Sequence, residues 1–449
     1  MNNTIRFFRE IAQIPRESGN EEGIANYLVQ FAQKRNLYWY KDQYNNVLIK
    51  KENKDLPCLI LQAHTDMVCV SKDPLFDFSI EPIEVVEKNG YLYANNTTLG
   101  ADNGIGVAQI LNILDSNLPC NIEAVFTTSE ETSMIGADRF DMSLLKGNYL
   151  LNLDGFDENT ILTESAAYYD LVMKSSFFEK IRTNKEYTYL IHLTGLMGGH
   201  SGYDINKNRG NAILLMAEFL KMLDGDLISI SSGTKNNVFP SQAEAVINTN
   251  LNDLDLVVTT FLDKYQSLYP ELKINYQKAE NSPMCFSNTN KFLDFLVYFP
   301  SKAINYTEDG NVTTSLNLGV IKNCYLEIGL RSSRKEEALK LLKDLEEYAY
   351  KFSFELIQEG FQPGFYSDIH SDLIQILYDT CPYSTEPNIT LAHITTEVGF
   401  FQEKKPDLQV AIISPRILNA HSTQECVELH SVSLVDEWLV RFIQQFNKL

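Results

Sequence analysis

Apolar residues at helical spacing open the chain. Ile5, Phe8 and Ile11 share one face of a helix that Asn3 can cap and Pro15 ends; Ile24, Leu28 and Phe31 share a face of a second, which starts after Ser18-Gly19-Asn20. The pattern then shortens to strands. Residues 37–40 and 47–49, with a turn at Asn45-Asn46, read as a hairpin, and 59–62 as a buried strand running into Ala-His-Thr-Asp-Met-Val. Residues 80–86 and 91–93 flank Asn89-Gly90 as a second hairpin, 104–114 is helical, and 122–128 and 149–153 are strands.

Near Lys185 the pattern changes. Strands at 189–194, 227–231, 243–249, 272–276 and two ending near Leu330 alternate with helices at 211–223, 254–265, 292–298 and 335–350. The tail resumes the first pattern, with a helix at 373–378, a strand at 408–413 and a closing helix at 433–446. The expected fold is α/β: a discontinuous catalytic domain with a central mixed sheet flanked by helices, from 1–186 and 357–449, and an inserted α/β sandwich lid at 187–356.

Composition narrows the function. Lys and Arg number 38 against 59 Asp and Glu, a net charge of −21 that argues against nucleic acid and anionic membranes as partners. Seven cysteines, scattered and never in Cys-x-x-Cys, suggest neither a disulfide framework nor a zinc–thiolate site. The opening residues lack an apolar secretion core and no run of about 18 apolar residues occurs, so a cytoplasmic protein is expected.

The polar residues with chemistry follow predicted strand ends, where open α/β sheets place their ligand sites. In His64-Thr65-Asp66 the imidazole and carboxylate point the same way, so Asp66 can orient the ring. Glu130-Glu131 offers one acid as a proton acceptor and its neighbour as a cation ligand. Asp102 stands in Thr-Thr-Leu-Gly-Ala-Asp-Asn-Gly-Ile-Gly-Val-Ala, residues 97–108, which fails as a dinucleotide loop because Gln109 replaces the third glycine, and as a calcium loop because Ile113 replaces the bidentate acid. Taken singly, each of these, with Asp154 and His421, has a plain reading as a surface histidine, helix cap or turn former. Together His64, Asp102, Glu131, Asp154 and His421 form a set of three carboxylates and two imidazoles that suits two divalent ions bridged by a carboxylate. His200, between glycines in Gly-Leu-Met-Gly-Gly-His-Ser-Gly-Tyr-Asp, is free to reach a ligand. His192 reads as a core residue; whether His393, with Glu397 four residues later, stands behind the ligand set is left open.

These segments, with Ile-Pro-Arg-Glu-Ser-Gly-Asn-Glu near the start, Thr-Thr-Ser-Glu-Glu-Thr-Ser-Met-Ile-Gly-Ala, Leu-Asn-Leu-Asp-Gly-Phe-Asp-Glu and the late His-Ser-Thr-Gln-Glu, occur in the order seen in the aminoacyl-histidine dipeptidase family of di-zinc metallopeptidases, which the chain resembles over nearly its full length. The resemblance implies a dipeptidase holding two divalent ions, Zn²⁺ first and Mn²⁺ or Co²⁺ as alternatives, and dimerising through the lid. Asp102 would bridge the ions, His64 and Asp154 completing one site and Glu131 and His421 the other. Asp66 would orient His64, Glu130 would be the general base toward the bridging water, and His200, often supplied by the partner subunit in this family, would stabilise the oxyanion. Asp154, where carboxypeptidase types carry Glu, favours small peptide substrates with a free amino end, and Asn237 and Arg331 would hold the substrate carboxylate. The rivals are an amidohydrolase for tripeptides or N-acyl amino acids, or a non-catalytic binding protein. Thr163-Glu-Ser-Ala-Ala-Tyr-Tyr-Asp170 replaces a glycine-rich segment usual in the family, which leaves specificity open.

Overall fold

Cys58–His64 is buried at every position but its first, as a strand covered on both faces requires. In the structure, a computed structural model that describes residues 3–176 and 178–449, this strand lies inside an eight-stranded sheet. The strand order is Tyr38–Lys41, Val47–Lys51, Asn121–Thr127, Cys58–His64, Tyr149–Asn152, Gln409–Ile412, Thr160–Ser165 and Asn388–Ala392. The middle four are mutually parallel, while the first two pair antiparallel, so the sheet is mixed.

Alternation along the central strand divides the core. Leu59, Leu61 and Ala63 join Phe8, Leu28, Leu111, Trp438 and Phe442 on one face, under the helices Asn3–Ile11, Glu22–Lys34, Ala101–Asp115 and Leu429–Phe446. Ile60 faces the other way, with Val125, Leu150, Val398 and Phe401. Asn3–Ile11, Glu22–Lys34 and Leu429–Phe446 carry the spacing expected of amphipathic elements, whereas Ala101–Asp115 is buried nearly all round.

Contacts divide the chain into two compact units. The first comprises residues 1–165, 364–392 and 396–449, and the second 166–363 with 393–395. The second is built on an antiparallel sheet ordered Lys273–Lys278, Tyr187–Thr194, Ala243–Thr249, Asp226–Ser232, Val312–Lys322, Tyr325–Ser332, Ala167–Lys174 and Glu355–Gln362, with Lys302–Tyr306 paired to Val312–Lys322. Helices Ala212–Met222, Thr289–Val297 and Lys335–Lys351 contribute to its core, where the Phe295 and Phe354 rings stack at 4.3 Å.

The insert therefore opens at 166 rather than 187 and closes after 363 rather than 356. The physical reason is strand pairing: Ala167–Lys174 lies between Tyr325–Ser332 and Glu355–Gln362, so both ends of the insert belong to its own sheet. The segment 163–170 proves to be the crossing from one sheet to the other. His192 is half-exposed beside Glu244, because alternation with buried Ile191 and Leu193 turns it outward.

Trp438 is the largest wholly buried side chain of the first unit, and its indole N–H donates to the Leu377 carbonyl at 2.9 Å. Trp438→Ala should lower stability by about 3–5 kcal/mol, and Trp438→Phe by about 1–2 kcal/mol, read from urea unfolding.

Candidate metal centre

Three neighbouring parallel strands deliver the polar residues. His64 ends Cys58–His64, Glu130 and Glu131 follow Asn121–Thr127, and Asp154 follows Tyr149–Asn152. Parallel pairing puts these strand ends on one edge of the sheet. The turn before Glu130 takes Ser129 to φ +57, and buried Glu21 accepts from the Ser129 amide at 3.1 Å and its hydroxyl at 3.2 Å.

Asp66 is fully buried and does more than face His64. Its carboxylate accepts from the Ser18 hydroxyl at 2.7 Å and from the backbone N–H groups of Glu130 and Glu131 at 3.1 and 3.2 Å. It therefore ties the two acids to the His64 strand end. The His64 Nδ1 lies 3.1 Å from the Asp66 carbonyl and 3.4 Å from its carboxylate, which commits that nitrogen and turns Nε2 outward.

Asp102 arrives from the glycine-rich stretch. Gly100 has φ +67, the Asp102–Asn103 peptide is cis, and both residues stand outside helical geometry at the start of Ala101–Asp115. The glycines make room for a guanidinium: a Cβ at Gly100 would lie 2.3 Å, and one at Gly104 2.7 Å, from an Arg16 terminal nitrogen. Arg16, itself buried, donates to the carbonyls of Thr65, Asp66 and Gly100. Glu425 accepts from the backbone N–H groups of Leu99, Gly100 and Asp102 at 2.7, 2.9 and 3.2 Å.

The side chains converge as two triplets sharing Asp102, His64–Asp102–Asp154 and Asp102–Glu131–His421, each with its donor atoms within 4.8 Å of one another. Asp102 Oδ1 lies 3.1 Å from His64 Nε2 and Oδ2 3.1 Å from His421 Nε2. His64 Nε2 is 3.6 Å from Asp154, and His421 Nε2 is 3.0 Å from Glu131. Glu130 closes a third group with His64 and Glu131.

The acids outnumber the bases, and protons stand in for positive charge. Burial opposes protonation of His64, but Asp154, Asp102 and Asp66 outweigh it and hold its pKa well above the ordinary range. Hydrogen bonds to Asp102 and Glu131 lift His421 to about 10. Burial and the neighbouring acids raise Glu130 well above, and Glu131 and Asp154 above, ordinary carboxylates. Borderline imidazoles and hard carboxylates, in two sets with one acid in common, fit a pair of divalent cations.

His200, Asn237 and Arg331 belong to the second unit and form a cluster of their own. Arg331 is 5 % exposed, and no carboxylate pairs with it among the described residues. Its guanidinium lies 4.5 Å over the Tyr168 ring, donates to Thr395 at 3.1 Å and sits 3.3 Å from His200 Nε2. Burial lowers its pKa to about 10. The Gly202 and Tyr203 amides approach His200 Nδ1 at 3.2 and 3.3 Å, which puts a neutral ring's proton on Nε2. Asn237 accepts from the Ser201 amide at 2.9 Å through its carbonyl, while its side-chain Oδ1 is buried without a partner among the described residues. His393 bonds Ser315 at 2.7 Å, and burial lowers it to about 3, so it is neutral.

Arg16, Glu425, Gln62 and Asn152 escaped the sequence reading. Arg16 and Glu425 lie within the quoted Ile-Pro-Arg-Glu-Ser and His-Ser-Thr-Gln-Glu segments, and Gln62 and Asn152 interrupt apolar strands two residues before His64 and Asp154.

Residues 60–445 match the peptidase family M20/M25/M40. The chain is 30% identical to the cytosol non-specific dipeptidase of Escherichia coli (strain K12), over 95% of this chain and 93% of that one. An aminoacylhistidine dipeptidase from Vibrio alginolyticus superimposes with a TM-score of 0.85 at 29% identity, covering 99% of this chain and 96% of the other. A Staphylococcus aureus tripeptidase shares the fold at a TM-score of 0.59 and 15% identity, covering 100% and 98%. With donor triplets, fold and near-complete alignment in agreement, the chain belongs to the M20/M25/M40 family of peptidases.

Proposed function

We propose that the chain is a metal-dependent dipeptidase acting in the cytoplasm on small peptides with a free amino end. The observation that carries the reading is the sharing of Asp102 between two donor triplets, with Glu130 grouped beside them. The named activities of the Escherichia coli and Vibrio alginolyticus relatives support it.

His64, Asp102 and Asp154 would hold one divalent cation and Asp102, Glu131 and His421 the other, with Zn²⁺ the first choice and Mn²⁺ or Co²⁺ alternatives. Bound there, the pair would polarise the scissile carbonyl and lower the pKa of water toward about 7. Glu130 takes the proton of the attacking water and passes it to the leaving amine. Its pKa, raised by burial and nearby acids, makes it a stronger proton acceptor than an ordinary carboxylate. Asp66 holds the His64 ring and the Glu130 and Glu131 backbone in place. His200 Nε2–H steadies the oxyanion and Arg331 takes the substrate carboxylate, with Asn237 beside it. A homodimer through the second unit completes the proposal, with two chains per particle expected by light scattering.

Glu130→Gln should keep its metals and lose about 10²- to 10⁴-fold in kcat on dipeptides. A variant that binds two ions and still turns over normally would remove Glu130 as the base. A panel of dipeptides, one tripeptide and one N-acetyl amino acid separates the dipeptidase reading from its rivals. Arg331→Met should lose about 10- to 100-fold in kcat/KM, mostly through KM, since it removes a charge-assisted bond to the substrate.

Cation binding must expel protons. In the stripped chain His421, lifted to about 10, favours folding fully below its unfolded value near 6.5, and that contribution is lost as pH rises through about 10. The raised Glu130, Glu131 and Asp154 work the same way, weakening the stripped fold as pH climbs above the ordinary carboxylate range. Zn²⁺ affinity should therefore rise between about pH 6 and 9, with proton release seen by calorimetry in buffers of different ionisation enthalpy. His421→Ala should release about one proton fewer.

A further inference from the structure

Beneath the ligand-bearing edge of the first unit's sheet lies a buried polar row that the reaction does not use. Thr127, Gln62 and Asn152 stand on three adjacent strands, all buried, among Ile60, Val125, Leu150, Val398 and Phe401. Gln62 and Asn152 are level with one another in the parallel register. Each precedes a donor, His64 or Asp154, by two residues. One acid closes the row: Glu397, fully buried, just before helix Val398–Lys404.

The bonds run in one direction. Glu397 Oε1 accepts from Gln62 Nε2 and from the Thr127 hydroxyl at 2.9 Å. Gln62 Oε1 accepts from Asn152 Nδ2, and Asn152 Oδ1 accepts from the backbone N–H of Asp154 at 2.8 Å. An acid's carbonyl-type oxygen can only accept, so Glu397 forces the Gln62 amide to point its NH₂ inward. That choice orients Asn152 in turn and leaves its oxygen facing Asp154; a reversed amide would set donor against donor.

Burial pushes the Glu397 carboxyl up to about 7, with Asp154 adding to the rise and His64 and the two hydrogen bonds opposing it. Either protonation state leaves Oε1 as the acceptor, so the direction of the relay does not depend on pH. Glu397 Oε2 has no hydrogen-bond partner among the described residues. A buried polar row of this kind is costly where apolar side chains would fill the core, so a role outside packing is called for.

We propose that Glu397 is a positioning residue for one of the two donor triplets. By dictating the direction of the Gln62–Asn152 relay it sets the backbone at Asp154, and with it the affinity of His64–Asp102–Asp154 for a cation. The relay ends at Asp154 and makes no bond to Glu131 or His421. This rests on the two-cation reading above, and extends it by making the two affinities separately adjustable.

The test is a Zn²⁺ titration of the full, chelator-stripped chain against a chromophoric competitor, with Asp154→Asn and Glu131→Gln marking the two binding steps. Glu397→Leu, which ends the relay, should weaken the step that Asp154→Asn weakens by about 10- to 100-fold and leave the step marked by Glu131→Gln unchanged. Glu397→Gln, whose carbonyl oxygen can take both bonds, should restore most of that loss. Should Glu397→Leu not fold, Gln62→Met breaks the same relay at similar volume and carries the same expectation. Equal weakening of both steps, no weakening of either, or a Glu397→Gln chain as impaired as Glu397→Leu would overturn the proposal. A wild-type chain that binds fewer than two ions would overturn the two-cation reading itself, before any variant is compared.

Discussion

The geometry of the first unit depends on a guanidinium in a space that only glycine leaves open. Arg16 donates to the carbonyls of Thr65 and Asp66 on one side and of Gly100 on the other, joining the strand end that carries His64 to the loop that carries Asp102. A buried cation is costly unless charge answers it, and Glu425 and Asp66 supply that charge. Glu425 meanwhile engages three backbone N–H groups around Asp102. A donor on a flexible glycine loop would lose entropy on capturing a cation; here the loop is already held, so less binding free energy would go to ordering it.

The two units divide the electrostatics between them. The first gathers carboxylates around two imidazoles and so favours cations. The second buries Arg331 beside a half-buried His200, with no carboxylate pairing the guanidinium among the described residues, and so favours an anion.

Much of this was legible in the residues themselves. The strand ending at His64, the acids after the next strand and the Asp102 loop were all signalled by apolar runs followed by chemistry-bearing side chains, and a residue chain order shared with known peptidases joined them into one set. The hidden part is of another kind. Arg16 and Glu425 act through backbone groups, and no spacing rule reports which carbonyl a guanidinium reaches. Gln62 and Asn152 read as interruptions in apolar strands, and Glu397 gains meaning only from a strand more than 300 residues earlier. The boundary of the insert was displaced because the composition shift near Lys185 lies inside the second unit's fold, whereas the sheet that claims Ala167–Lys174 depends on long-range pairing.

The way the chain leaves and re-enters the first unit has a bearing on how it folds. Thr163 and Ser165 pair with Ser367 and Phe365 within the first unit, and Ala167–Lys174 pairs with Glu355–Gln362 within the second. Departure and return are thus held side by side in each. For the first unit the long insert is equivalent to a short closed loop, so joining residues before 165 to those after 364 costs far less chain entropy than their separation in sequence suggests. Once the insert has folded, the host can assemble as if its two halves were neighbours during synthesis, and an insertion built on such a stalk can be lengthened, trimmed or exchanged in evolution without disturbing the sheet that carries the ligands.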